Sequence, residues 1–432
     1  MTKKRAWFRL LAVLFGIVLI AGACGGRDDD GDDVGAGDDT GDTADDEKKE
    51  VTSGPGFDGT TIKLGVLTPL SGPVAAPIGL PLTAGGDVYW ERVNAAGGVA
   101  GKYKVEIVKE DNLYDTAQTK QKYTKIKDEV VMFSQILGTP PTQTVLQDLK
   151  ADGLAASPAS LDGEWVREPN LLPVGSTYQL QFVNAAEYLV KDAGFKGKPI
   201  CIIAEEGAYG DAGIEGVAYA GKELDFDVAV TARFKAADQD LTAPLQQLKN
   251  GNCAAVFVTA TPTPTAKILG TGAQLGFSPQ WVGQSPSWVN ALIASPVAPI
   301  LEKSFLLAGE GPQWGDESVP GMKQLLDDIK KYKPDQQPDG YFVFGYAQAM
   351  AVHQVLETAV ENGDLSREGI LKAIEEAEVD SKGLYGEYEY GKASTRNPSR
   401  TTAIFKVNKA VPGNLEKVKD ITSTAAKSFK FE

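Results

Sequence analysis

The chain has 432 residues, 42% of them hydrophobic and 23% charged, with 43 Lys and Arg against 58 Asp and Glu. That is enough apolar material to build real cores, and the length points to two domains rather than one. The net charge of −15 excludes an ordinary nucleic-acid binder, because phosphate contacts need a basic face.

Residues 1–23 read as an export signal. Lys3, Lys4, Arg5 and Arg9 precede the apolar run Leu10 to Ile20, and Ala21, Gly22 and Ala23 follow. The apolar run is shorter than the ~20 residues of a membrane-spanning helix. Cys24 comes next, and the arrangement resembles the lipobox of bacterial lipoproteins, although Ala21 stands where that pattern prefers a larger aliphatic residue. The resemblance implies cleavage before Cys24 and a lipid on its sulfur. Residues 24–56 form an acidic tether. Between residues 25 and 50 it carries 12 acidic and 3 basic side chains, a composition that packs no core and extends by self-repulsion. The run Asp28 to Asp33 lacks the spaced ligands and closing Glu of a calcium loop.

From Thr61 strands and helices alternate. Ile62 to Leu67 is a β-prone apolar run, stopped by Pro69, Gly72 and Pro73, with Ser71 in the loop. A helix over 81–96 closes at Gly97 and Gly98. A strand over 104–108, a helix from Asp115 to about 127, a strand over 130–137, a helix over 142–151 and a strand over 153–157 follow. After a helix over 177–192 the pattern restarts. Strands are predicted at 200–204, 228–234, 254–259 and 280–282, and helices near 211–224, 239–249 and 264–275. Helices at 318–331, 340–361 and 366–377 precede a polar, β-like tail. Such alternation predicts parallel sheets covered by helices on both faces, an α/β fold.

The ordered segments LGVLTPLSGP, NAAGGVAGKYKVEIVKEDNLYD, ILGTPPTQTV, SPAS, AYGDAG and FVFGYAQAM, spread over residues 60 to 410, resemble type I periplasmic binding proteins. The nearest branch is the substrate-binding proteins of branched-chain amino-acid ABC transporters. The resemblance implies two doubly wound parallel-sheet lobes joined by three hinge crossings. Lobe 1 would comprise 60–181 plus 311–385, and lobe 2 would comprise 182–310 plus 386–432. It also implies a ligand caught between the lobes and handed to ABC permease subunits.

Residue by residue, the resemblance places Thr139 as a hydroxyl at the ligand carboxylate, next to a helix N-terminus. Pro140 and Pro141 remove two N–H donors there, and the other role open to Thr139 is helix capping. Ala159 would offer its backbone and Ser160 its hydroxyl, with Leu161 where a second hydroxyl is common. Trp165 either walls the cleft or packs in its own lobe. Tyr209 and Thr261 match contact positions in lobe 2. Ser285 stands where amino-acid binders carry an acid for the ligand ammonium, and no Asp or Glu occurs between Asp240 and Glu302. A buried ammonium without an anion is costly, so a zwitterionic ligand needs other partners. Trp288 beyond it suits a larger or flatter ligand. Ser71 completes the candidate set.

No enzymatic constellation emerges. His353 is the only histidine and shares one helix face with Tyr346, Ala349, Leu356 and Val360. No zinc spacing, nucleophile elbow or dinucleotide fingerprint is present, and residues 270–276 (GTGAQLG) lie within a predicted helix. Neither a cofactor nor a metal is expected. Cys201 and Cys253 begin neighbouring strands of lobe 2, so an exported protein allows a disulfide there, with two buried thiols as the alternative. The expected function is an extracytoplasmic, lipid-anchored receptor that captures a small polar ligand, an amino acid or related solute, by hinge closure and delivers it to an ABC importer. A sensor of the same fold for amides or urea is the alternative.

Overall fold

The computed structural model describes residues 51–431. The export signal, Cys24 and the acidic tether up to residue 50 lie outside the described residues. At residue 51 the chain is already attached: the Thr52 N–H donates to the Gly363 carbonyl (2.9 Å), and Leu365 N–H donates to the Thr52 carbonyl (2.9 Å). Residues 51–56, placed in the tether by composition, therefore run along the first lobe.

The first sheet has the order β2-β1-β3-β4, all parallel, from β1 (Thr61–Thr68), β2 (Lys104–Asp111), β3 (Met132–Leu137) and β4 (Ala156–Ala159). The helices α1 (Leu80–Ala95), α2 (Thr116–Ile126) and α3 (Thr139–Asp152) alternate with these strands. The second sheet has seven strands. Its parallel part runs β9-β8-β7-β5-β6, from β5 (Ile200–Glu205), β6 (Val228–Phe234), β7 (Ala255–Thr259), β8 (Gln280–Gln284) and β9 (Phe305–Gly309). Two antiparallel strands, β10 (Thr402–Val407) and β11 (Leu415–Ile421), extend it beyond β9. The helices α4 (Tyr178–Glu187), α5 (Ala208–Leu224), α6 (Thr242–Asn250), α7 (Pro262–Gln274) and α8 (Ala298–Ser304) belong to this part of the chain.

The first lobe does not close with its own N-terminal segment. Its core joins Ile62, Leu64, Val88 and Tyr89 to Met322, Phe342, Tyr346, Val352, Ile370 and Leu384. The latter come from α9 (Pro320–Tyr332), α10 (Gly340–Glu361) and α11 (Arg367–Glu376), except for Leu384, which lies beyond α11. The contact between α1 and α10 is backbone-close. A Cβ on Gly85 would stand 2.0 Å from the Phe342 carbonyl oxygen, and one on Gly345 would stand 1.8 Å from that of Leu82. Only glycine permits that approach.

Three passages of chain therefore link the lobes. The first ends in the Thr177 cap of α4, whose hydroxyl accepts from Leu180 N–H. The second follows β9. The third falls later than the expected residue 386. Tyr388 and Tyr390 are still in the first core, and Arg396 donates to the Glu168 and Leu171 carbonyls, both at 2.8 Å. Arg400 is the first residue of this passage held by the second lobe, donating to Ala426 (2.9 Å) and Phe429 (2.8 Å) near α12 (Thr424–Ser428).

His353 is packed. Its Nδ1 lies 3.0 Å from the Tyr89 hydroxyl, its ring meets Tyr89 and Trp90 edge to face, and burial pushes its pKa down to about 4. Cys201 and Cys253 are disulfide-bonded, with Cα atoms 5.8 Å apart and a sequence separation of 52. They sit within the second lobe's core. A loop of that length corresponds to ~4 kcal/mol of chain-entropy stabilisation. Replacing both cysteines with serine is expected to lower the unfolding free energy by about 2–4 kcal/mol while ligand affinity is retained. Urea unfolding of the variant and of the dithiothreitol-treated parent measures this, and unchanged midpoints would show that the crosslink contributes nothing.

Candidate functional site

The carboxyl ends of both parallel sheets face one cavity, as open α/β sheets require of a ligand site. Its free volume, including the part open to solvent, is about 1330 Å³. Of the seven residues singled out by sequence, Thr139, Ala159, Ser160, Tyr209, Thr261 and Ser285 line it. Ser71 does not. Its hydroxyl donates to Asp111 Oδ2 at 2.5 Å, and the adjacent Leu70 N–H donates to Asp111 Oδ1 at 3.0 Å.

On the first lobe, Gly138 precedes α3 with φ of 100°, a backbone that disfavours any side chain. Thr139 is the first helical residue, 2% exposed, and its hydroxyl has no partner. It does not cap the helix. Thr142 instead donates its hydroxyl to the Gly138 carbonyl at 2.9 Å. Because Pro140 and Pro141 carry no N–H, this terminus presents the Thr139 N–H and hydroxyl alone. Next to it, Ser160 accepts from Trp165 Nε1 at 2.8 Å and keeps its own proton for donation. Trp165 itself is fully buried in the first lobe.

Tyr114 is a lining residue that sequence reasoning missed. It lies in a turn where Leu113 and Tyr114 both have positive φ, 55° and 58°. The turn is held by two short polar side chains: Leu113 N–H donates to Asp111 Oδ1 (3.0 Å) and Tyr114 N–H donates to Asn112 Oδ1 (3.1 Å). Its ring covers Gly138, where a Cβ would stand 2.4 Å from the ring and 2.8 Å from the hydroxyl. The Asp-Asn pair before a bulky dipeptide was the available signal. Ser71 enters here indirectly, because it shares Asp111 with this turn.

On the second lobe, Tyr209 is the second residue of α5, buried, with its ring 5.0 Å from Tyr178 and its hydroxyl 3.4 Å from the Ala260 carbonyl. Thr261 precedes α7, and its hydroxyl is not used as a cap. Ser285 is committed elsewhere: its N–H and hydroxyl both donate to Gln181 Oε1, at 3.1 and 2.8 Å. It does not supply the anion missing from this place. Trp288 stacks on Phe305 and also lines the cavity.

Much of the wall is apolar: Ile78, Leu82, Leu161, Leu307, Trp314, Met322, Val343, Phe344, Leu384, Phe405 and Leu415 contribute to it. None of the lining residues is Lys, Arg or His. Two are carboxyls. Asp339 accepts from Phe342 N–H at 3.0 Å, and burial raises its pKa to about 6. Glu310 follows β9. Its Oε2 accepts from Ser176 N–H at 2.7 Å, its Oε1 is buried without a partner, and burial pushes its pKa up to about 8. The lobes also touch across the cleft. The Tyr341 hydroxyl donates to the Pro286 carbonyl at 2.9 Å, and Asn290 Nδ2 donates to the Pro338 carbonyl. Among the described residues no group of three or more His, Cys, Asp or Glu is placed to hold a metal ion, and no helix is long and apolar enough to cross a membrane.

Residues 61–412 match the family model described as periplasmic binding protein. No curated protein sequence matches the chain. Among solved structures, a fatty acid ABC transporter substrate-binding protein from Thermomonospora curvata is 28% identical, with a TM-score of 0.82, covering 88% of this chain and 97% of that one. A branched chain amino acid ABC transporter from Thermus thermophilus with bound valine is 19% identical, with a TM-score of 0.72 and coverage of 87% and 99%. An R. palustris ABC transporter solute-binding protein in complex with 4-hydroxybenzoate is 18% identical, with a TM-score of 0.70 and coverage of 84% and 97%. At 18–19% identity the last two speak to fold alone.

The raised pKa of Glu310 has a stability consequence. Its folded value, about 8, lies above its ordinary value of 4.5, so the folded state binds the proton more tightly. The resulting stabilisation is complete below pH 4.5 and is lost as pH rises towards 8, a change on the order of a few kcal/mol. Glu310→Gln keeps the neutral shape and removes the titration. The variant's melting temperature is expected to overtake the parent's progressively between pH 5 and pH 8. Parallel curves across that range would mean that Glu310 titrates normally.

Proposed function

The chain belongs to the type I periplasmic binding protein family, and from that premise we propose that it is an extracytoplasmic receptor for a ligand with a polar end and a large apolar body, delivered to an ABC importer. One observation carries the choice of ligand: the interlobe cavity is walled mainly by aliphatic and aromatic side chains and has no acid at the end of β8. A compact zwitterion would leave most of those walls without contact and its ammonium without the usual partner. Amides and urea fit the walls no better. A carboxylic acid with an aliphatic or aromatic body buries apolar surface at ~25 cal/mol per Å². Its carboxylate meets the Thr139 N–H and hydroxyl at the start of α3, with the Ser160 hydroxyl beside them. The likeness to a fatty acid transporter's binding protein supports the same class.

Binding and release need only the hinge. The three passages between the lobes allow closure, and Tyr209 and the loop after β8 meet the first lobe, including Tyr341 at the start of α10, when the cleft shuts. In this reading Cys24 is lipidated and residues 25–50 lift the receptor off the membrane, where its closed face meets the permease. Replacing Cys24 with serine is expected to move the protein from the membrane fraction to the soluble fraction, as read by fractionation and blotting. Retention in the membrane would refute the anchor.

The ligand reading is tested by titrating the purified protein with octanoate, decanoate, phenylpropanoate, leucine, valine and urea. Trp288 and Trp314 line the cavity, so intrinsic fluorescence reports occupancy directly. The monocarboxylates are expected to bind and the amino acids and urea to fail. Thr139→Ala and Tyr209→Ala are each expected to weaken the acids about tenfold with unchanged circular dichroism. Tight binding of leucine with no response to the acids would overturn the reading.

A further inference from the structure

The reading above leaves two cavity-lining carboxyls unused, Asp339 and Glu310, and of these Glu310 has a buried oxygen without a partner. It sits where the second hinge passage leaves β9, next to Gly311 and facing Gly175 and Ser176 of the first passage. The fit is tight: a Cβ on Gly175 would stand 2.2 Å from Glu310 Oε1. Oε2 is taken by the Ser176 N–H. Oε1 is buried and partnerless. No described Lys, Arg or His lines the cavity beside it. Lys417, on β11, donates to the neighbouring Gly311 carbonyl (3.2 Å) and pairs with Asp420 (2.7 Å).

An ionised carboxylate in that setting would be a lone buried charge, which costs far more than a neutral acid. The neutral form has one proton to place. Since Oε2 already accepts, the proton belongs on Oε1, which is then a buried donor in need of an acceptor. The burial-driven rise of its pKa agrees. The position matters as much as the proton. Across the second sheet the order is β5, β7, β8, β9, and the chain ends there carry Tyr209, Thr261, Ser285 and Glu310 in turn. From the Tyr209 side to Glu310 is three strand spacings, or roughly 14 Å. Leu161, Tyr178, Leu307 and Leu384 line the cavity together with these polar ends.

We propose that Glu310 is a second ligand-reading group, and that the natural ligand is bifunctional: a carboxylic acid whose apolar body ends in a second hydrogen-bond acceptor, a hydroxyl or another carboxyl, that accepts from Glu310. This rests on the carboxylic-acid reading above and narrows it. The Thr139 end accepts any such acid, and the Glu310 end selects those with the second group at the right reach.

The test compares straight-chain monocarboxylates from butanoate to dodecanoate with the ω-hydroxy acid and the α,ω-dicarboxylate of each length, using the full chain and tryptophan fluorescence. At one or two adjacent lengths the bifunctional acid is expected to bind about tenfold more tightly than the plain acid. Glu310→Gln, whose amide keeps both a donor and the Ser176 bond, is expected to retain that preference. Glu310→Met is expected to abolish or invert it while plain acids still bind. Equal affinities at every length, or a preference that survives Glu310→Met, would overturn this inference and leave the carboxylic-acid reading in place. Failure of every acid would overturn the carboxylic-acid reading itself. If Glu310→Met does not fold, Glu310→Ala, which also removes the donor, takes its place, with the same loss of preference expected and a surviving preference overturning the inference.

Discussion

The structure depends on one close approach. Gly85 of α1 and Gly345 of α10 lie against each other's backbones, joining segments some 260 positions apart (345 − 85). Once that contact forms, residues 320–376 must return to the first lobe after the second sheet has been built, so the chain crosses between lobes instead of running through two successive domains. Losing the Cβ at both positions costs conformational entropy, roughly 0.5–1 kcal/mol each. The aromatic and aliphatic packing of Tyr89, Phe342 and Tyr346 around the contact offsets it. The same contact aims the start of α10 at the cleft. Asp339 caps that helix, Tyr341 reaches the loop after β8, and Phe344 packs against Leu161, Tyr178 and Tyr209. A packing constraint deep in one lobe thus decides what meets the ligand.

The cavity that results is unusual in its charge balance. Apolar walls make every polar group in it expensive unless satisfied. It offers donors to a ligand: the Thr139 hydroxyl is unpaired, the Ser160 proton is available, and burial raises the Glu310 pKa to about 8, favouring its protonated form. No base balances them. Such a site favours a ligand that accepts hydrogen bonds and brings its own apolar bulk. It offers little to a ligand whose chief feature is a cation: burial raises the Glu310 pKa to about 8, and Asp339, raised only to about 6, is already engaged in capping α10.

Fold and site were legible to different depths. The alternation of β-prone and helical runs marked most elements to within a few residues, because parallel strands are apolar throughout and glycines close the helices. β9, β11 and α8 escaped it. The first two are short or mostly polar on an edge, and the third is a seven-residue helix. Six of seven candidate residues reached the cavity because they sit at strand ends, a position set by topology. Ser71 also sits at a strand end, yet Asp111 takes its hydroxyl, and that partner is 40 residues away in sequence. Glu310 and Tyr341 carried no local signal. Their roles arise from burial and from the facing lobe, which no pattern within either segment records.

Closure itself is shared between protein and ligand. The Tyr341–Pro286 and Asn290–Pro338 bonds link the lobes through protein groups alone. Each such bond contributes about 0.5–1.5 kcal/mol net, so two of them hold the lobes together only weakly against the freedom regained on opening. A ligand shifts that balance by its difference in affinity for the two states and by nothing else. Contacts confined to one lobe add affinity without adding closure. The Thr139 station belongs to the first lobe, whereas Tyr209, Thr261 and Glu310 are carried by the second. Only a ligand long enough to engage both sides converts its binding energy into the closed shape. An extended, amphipathic solute therefore suits this cavity for a mechanical reason as well as a chemical one.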